Sequence, residues 1–280
     1  MSARAGLLLT VAPNGARRTQ TDHPALPITT EEIAVCAAAC HAAGAAMIHL
    51  HVRDGDGRHS LDPDRYLDAT AAVRQRTHDR MTVQITSEAA GVYAPREQMR
   101  CILTVKPEAA SVAMRELCPD STAEAAYGAF LERCAADAIW VQHILYSPAE
   151  IRRFGALHRA GVIPEQHPFV LLVVGSYRGD QPSTVAEFGR YAVAAAEVPD
   201  CEWAVCAFGS AEHVVLRHAA AHGFHLRTGF ENNLLLPDGT PARDNAELVA
   251  CLANALRADS IPLTDSVGSR SRTARRGRGV

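Results

Sequence analysis

Eight times along the chain a short apolar run alternates with a longer stretch that opens on a helix-start signal, and this rhythm restricts the fold more than any other feature. The apolar runs cover residues 7–11, 47–53, 81–86, 109–114, 139–145, 169–174, 203–208 and 224–228. Between them, Thr29 and Glu32 have capping-box spacing, and an Ala-rich segment follows to Gly44. Asp62-Pro63 joins an N-cap to a proline at the first helical position and opens a helix to about Thr77. Pro95 starts a third helix. Ser121 with Glu124, and Ser147 with Glu150, repeat the capping-box spacing, and further helices are expected over 183–196, 211–221 and 245–257. Strands that alternate with helices of this length pair in parallel through crossover helices. Eight such units predict an α/β protein of one kind, a (β/α)8 TIM barrel. A doubly wound open sheet is the alternative, but it usually carries fewer units.

The expected boundaries are 1–264 for a single barrel catalytic domain and 265–280 for a tail of Ser, Gly and Arg. That tail has almost no apolar side chains to bury, so it is expected to be disordered. Its five arginines are the one basic cluster of a chain whose formal net charge is −3, so nothing global draws it to nucleic acid or to an anionic membrane. The eight cysteines form no Cys-x-x-Cys pair and lie in helix and strand patterns, which points to buried thiols in a reducing compartment. No signal peptide and no membrane-length apolar run are recognised, so a cytoplasmic protein is expected. Lys106 is the only lysine and sits before Pro107 at a helix-to-strand junction, the wrong end of a barrel strand for chemistry, so a lysine-imine mechanism is not expected.

Barrel active sites lie where strands end. Within the second run, MIHLHVR, side chains alternate, so His49 and His51 share a face two residues apart at the end of a buried strand. Two imidazoles at that spacing can grip one metal ion, or can simply be hydrogen-bonded in a polar core. In a closed barrel the eighth strand is separated from the second only by the first, which lets Glu231 approach both histidines. Two histidines and one carboxylate suit a catalytic zinc site, or a facial site for iron or another divalent ion.

HLHVRD after the second strand, QITSE after the third, KPEAASVA at the fourth and RTGFENN at the eighth together resemble the β-keto acid cleavage enzymes, whose type member is 3-keto-5-aminohexanoate cleavage enzyme. The resemblance runs from about Leu7 to Leu263. It implies a zinc-dependent barrel, commonly a homotetramer, that converts a β-keto acid and acetyl-CoA to acetoacetate and a new acyl-CoA. It also implies His49, His51 and Glu231 as zinc ligands, Thr86 and Ser111 as holders of the substrate carboxylate, and Arg227 as the catalytic arginine. The plain readings of the last three are packing in the barrel interior for Thr86 and Ser111, and an ion pair with Glu231 for Arg227.

Two positions depart from the family pattern. Asn232 stands where the family carries an acidic residue read as part of the base machinery, and an amide cannot take a proton at neutral pH. Glu88, past the third strand, is the candidate replacement base, with Glu116 and Asp54 behind it. Arg17 stands where members acting on amino-substituted acids carry an acidic residue, so the substrate tail is expected to be neutral or anionic. Asn14, Arg17, Arg115 and Asn232 join Thr86 and Ser111 as expected substrate contacts. The Gly175–Gly179 loop is a candidate for the CoA thiol arm, and His143 a candidate for the cavity wall. The rival readings are a metal-dependent hydrolase, for which His143 on the fifth strand is the supporting feature, and a metal-binding barrel without catalysis.

Overall fold

The structure is a computed structural model that describes residues 6–176 and 183–264. The arginine-bearing tail, and residues 177–179 of the expected CoA loop, lie outside the described residues. In chain order the elements are β1 (Leu9–Val11), α1 (Thr30–Ala43), β2 (Met47–Leu50), β3 (Val52–Arg53), β4 (His59–Ser60), α2 (Pro63–Thr77), β5 (Thr82–Thr86), α3 (Pro95–Val105), β6 (Ala109–Ala113) and α4 (Met114–Leu117). After a single 3-10 turn (Ser121–Ala123) come α5 (Glu124–Ala136), β7 (Trp140–Leu145), α6 (Pro148–Arg159), β8 (Phe169–Val174), α7 (Val185–Ala196), β9 (Glu202–Ala207), α8 (Glu212–Ala221), β10 (His225–Thr228) and α9 (Asn245–Ala258).

Eight of the strands close into one parallel barrel in the order β1-β10-β9-β8-β7-β6-β5-β2. Strand β1 closes the ring: Thr10 stands opposite Arg227 on one side and opposite Met47 on the other. This is the (β/α)8 TIM barrel that the rhythm predicts. Alternation along each strand divides its residues between two cores. Ile48, Leu50, Val83, Ile85, Val112, Val141 and Val170 point outward and pack under the helices. Met47, Ala109, Trp140, Phe169, Leu171, Ala204 and Cys206 point inward and fill the barrel, with Trp140 stacked on Phe169 at 4.6 Å between ring centroids.

The helix-start signals hold with local corrections. Thr29 and Glu32 make the full capping box, and Asp62 caps α2 ahead of Pro63. Before α5 the cap is Asp120, whose carboxylate takes Thr122 N–H, and Ser121 lies inside the 3-10 turn. A carboxylate one residue upstream is the stronger acceptor for the same free N–H groups. Ser147 caps α6, but the Glu150 carboxylate reaches Tyr146 N–H, so the box is left half made. Thr184 caps α7, while Ser183 bridges β8 and the end of β9 through Val174 O and Phe208 N–H. The 47–53 run is not one strand. After Leu50 the chain leaves the barrel, and Val52–Arg53 pairs antiparallel with His59–Ser60 in a hairpin over its mouth. All eight cysteines are free thiols.

Candidate active site

Three side chains converge at the end of β2 and beyond β10. The Nε2 atoms of His49 and His51 lie 3.1 Å apart, and Glu231 Oε2 is 3.6 and 3.5 Å from them. All three residues are buried, and their donor atoms lie within 4.8 Å of one another. The His49 tautomer is set by a second partner. Gln84 commits its amide N–H to Gln142 Oε1 and presents its oxygen to His49 Nδ1 at 2.8 Å. Nδ1 therefore carries the proton and Nε2 faces the triad as a lone pair. Burial lowers the pKa of His49 to about 4 and of His51 to about 3, so both rings are neutral. Burial opposes charge on Glu231 too, but Arg227 and the two imidazoles outweigh it and hold the carboxylate well below its usual range. Glu231 Oε2 is buried without a hydrogen-bond partner. Two neutral imidazoles and one orphaned anionic oxygen, aimed at a common point, fit a divalent cation, and the donor set suits zinc.

His49 and Glu231 open onto a cavity of about 560 Å³ at the C-terminal ends of the strands, where barrel chemistry is expected. Arg227, from β10, reaches into it and pairs with Glu231 Oε1 at 3.0 Å. Thr86 and Ser111 line the floor on neighbouring strands, directly opposite in register. Thr86 Oγ1 takes Glu88 N–H, whereas Ser111 Oγ has no partner. Glu88 lines the wall, 3.9 Å from His51 Nδ1. Its carbonyl takes a hydrogen bond from His59 of the hairpin. Burial, and then the charge of Glu231, push its pKa up to about 7. Arg17 stands across the mouth, 3.8 Å from Glu88, with more than half of its side chain exposed. Arg115 completes the cationic side, its guanidinium stacked 3.5 Å from the Tyr146 ring centre and held by Glu150 at 3.0 Å.

The beta-keto acid cleavage enzyme profile matches residues 7–270. The chain belongs to that family. The 3-keto-5-aminohexanoate cleavage enzyme of Fusobacterium nucleatum subsp. nucleatum is 29% identical over 253 residues, 87% of this chain and 88% of that one. The 3-oxoadipate:acetyl-CoA acetyltransferase of Cupriavidus necator is 27% identical over 251 residues, 88% of this chain and 87% of that one. Among solved structures, the binary complex of ObcA with oxaloacetate superposes with a TM-score of 0.73 at 18% identity, over 90% of this chain and 67% of that chain; that likeness speaks for the fold.

Four of the expected residues do not line the cavity. Asn14 lies off the cavity lining and spends its amide on backbone, donating to Pro27 O and His51 O and accepting from His51 N–H; it holds the histidine in place. Asn232 is fully buried, lines none of the cavity, and has no partner for either side-chain atom. Asp54 is tied into the β3–β4 turn by the N–H groups of Asp56 and Arg58, which leaves it outside the site. His143 points outward from β7, between Gln142 and Ile144, and is bracketed by Tyr127 OH at 2.8 Å and Glu165 at 3.2 Å. That corrects its expected place on the cavity wall and removes the feature that favoured a hydrolase. Glu116 does line the cavity, but its carboxylate holds Ala89 N–H and Gln98, so it braces the segment that carries Glu88. Gln84, Gln142, Tyr146 and His59 are site residues that the sequence reading missed. Gln84 was within reach: it stands two residues before Thr86, on the same strand face.

Proposed function

We propose that this barrel binds one zinc ion through His49, His51 and Glu231 and condenses a β-keto acid with acetyl-CoA to give acetoacetate and a new acyl-CoA. The observation that carries the reading is the buried His-His-Glu triad, paired with Arg227, at the floor of a cavity of about 560 Å³. When bound, the ion supplies Lewis acidity that makes the carbon between ketone and carboxylate easier to deprotonate.

The remaining work falls to the chain's own side chains. Thr86 and Ser111 hold the substrate carboxylate, and the unpartnered Ser111 hydroxyl is a donor ready for it. Glu88, on the wall above them, takes the proton from the carbon between ketone and carboxylate. The carbanion attacks the acetyl thioester carbonyl and expels CoA thiolate. The thiolate then adds to the substrate's own ketone. The bond between that carbon and the former carbanion carbon breaks, its electron pair stays on the acetoacetate fragment, which takes the proton back from Glu88, and the ketone carbon departs as the new thioester. Arg227 faces the oxyanions that develop along this path. Asn232 takes no part in proton transfer here. Arg17, across the mouth, favours a substrate tail that is neutral or anionic, and one relative is named for 3-oxoadipate, an acid with such a tail, which supports this reading. A homotetramer in the cytoplasm belongs to the same reading; among the described residues no helix is long and apolar enough to cross a membrane.

The test is to incubate zinc-loaded protein with acetyl-CoA and a panel of cationic, neutral and anionic β-keto acids, and to follow acyl-CoA by mass spectrometry. Formation of acetoacetate together with a new acyl-CoA supports the reading. Turnover without acetyl-CoA would favour the hydrolase, and zinc binding without turnover the non-catalytic barrel. A preference for the cationic acid would overturn the role given to Arg17.

A further inference from the structure

We infer that Glu212 holds the Glu231 loop in its metal-binding shape and so sets the affinity of the site for its ion. The inference rests on the metal reading above. Glu212 opens α8, is 2% exposed, and lines none of the cavity, so it acts through the loop and is a positioning residue.

The loop spans 228–233 and must turn sharply to bring Glu231 back over the barrel. Gly229 allows the turn with φ +132°, and a Cβ there would lie 2.4 Å from Ala12 O. The N–H groups of Asn232 and Asn233 both return to Gly229 O, at 2.8 and 3.0 Å. Glu231 N–H is anchored on Ala12 O, so β1 fixes one side of the loop. On the other side one oxygen of Glu212 joins its two ends. Oε2 accepts from Thr228 Oγ1 at 3.0 Å and from Asn233 Nδ2 at 3.2 Å. Asn233 in turn fixes the exit of the loop through Leu235 N–H and Leu235 O. An apolar side chain in place of Glu212 would take the acceptor from the Thr228 hydroxyl and from one N–H of Asn233, both buried.

Charge supports the arrangement. Burial pushes the Glu212 pKa up to about 8, against the hydrogen bonds from Thr228 and Asn233. The upward shift favours the protonated form, which braces the loop without placing a second anion beside Arg227. The guanidinium charge stays with Glu231.

The test uses the full chain, stripped of metal and reloaded with Zn²⁺. Zinc affinity is read by competition with a chromophoric chelator, and amide exchange over 228–233 by mass spectrometry. Glu212→Met keeps volume and removes the acceptor. It is expected to weaken zinc binding roughly 10- to 100-fold and to speed exchange of the loop. Glu212→Gln keeps an acceptor oxygen and is expected to restore both. Thr228→Val removes one of the two donors and gives an intermediate loss, which keeps the test decisive if the Met variant does not fold. Wild-type zinc affinity in a folded Met or Val variant overturns the inference, with or without faster exchange. A Gln variant as weak as the Met variant overturns it too. If the unsubstituted protein binds zinc no better than His49→Ala, the metal reading fails and the inference falls with it.

Discussion

Arg17 and Glu88 both line the cavity and stand 3.8 Å apart. An arginine with more than half of its side chain in solvent gives a modest contribution, because water screens it. Under the proposed function it would favour an acid with a carboxylate tail, which gains a partner that an ammonium tail does not. Arg17→Ala is expected to raise KM for an anionic β-keto acid roughly tenfold, to change KM for a neutral one little, and to leave kcat for both near that of the unsubstituted protein. Steady-state kinetics on the two acids checks this; an equal rise for both would show that Arg17 shapes the mouth without reading charge. The same scale separates Asn14 from Asn232. Every polar atom of the Asn14 side chain is used on backbone, while Asn232 has both of its atoms buried and unpaired. Asn14 therefore works as a support for His51.

Among the elements, the loop after β10 has the tightest geometry, and its weak point is Gly229. Any side chain there would meet Ala12 O within 3 Å and would have to adopt a left-handed φ. Gly229→Ala is expected to cost on the order of 3 kcal/mol, which for a chain of this size lowers Tm by roughly 5–10 °C. Because the strain falls on the segment that carries Glu231, zinc binding should weaken in the same variant. Calorimetry together with a zinc titration checks both; a normal titration beside a lowered Tm would mean that the loop relaxes without moving its carboxylate. The hairpin β3–β4 is a second supporting element. Arg53 donates to Ala16 O and Arg18 O, on either side of Arg17, and His59 donates to Glu88 O. One short ribbon thus touches both walls of the mouth.

For the whole molecule, ion and proton binding are stability terms. A ligand that binds the folded state alone stabilises it, by about 2.7 kcal/mol when its free concentration is ~100 times Kd. Dialysis against a strong chelator should therefore lower Tm by several degrees, and zinc should restore it; an unchanged Tm would contradict a site formed by the fold. Glu212 adds a pH dependence whose sign is fixed by its shift. Its folded pKa of about 8 lies above the ordinary value of 4.5, so between the two the folded chain keeps a proton that the unfolded chain releases. Stability therefore falls as pH rises from about 4.5 toward 8, and the loss is complete above that. Urea unfolding at about pH 6 and about pH 8.5 should show a steeper loss in the unsubstituted protein than in Glu212→Gln, which has nothing to titrate there. Equal losses would place the proton elsewhere.

The local code of this chain was enough for the barrel. Short apolar runs, separated by stretches that open on Thr29, Asp62, Pro95 and Ser147, name eight strands and their helices, because caps and prolines act on their own few residues. The same local logic put His49 and His51 on one face, and ring closure in the barrel made Glu231 their neighbour. What the code could not decide is which way a residue points when its strand is buried on both sides. His143 sits in a run with no polar face to set the phase, so only the closed barrel shows that it belongs to the outer core with Tyr127. The division of the 47–53 run between a barrel strand and a hairpin, the Gln84–Gln142 relay behind His49, and the seat of Glu212 under the Glu231 loop were likewise settled in three dimensions. The relay and the seat of Glu212 depend on contacts between residues well separated in the chain, and those contacts have no signature in the spacing of neighbours.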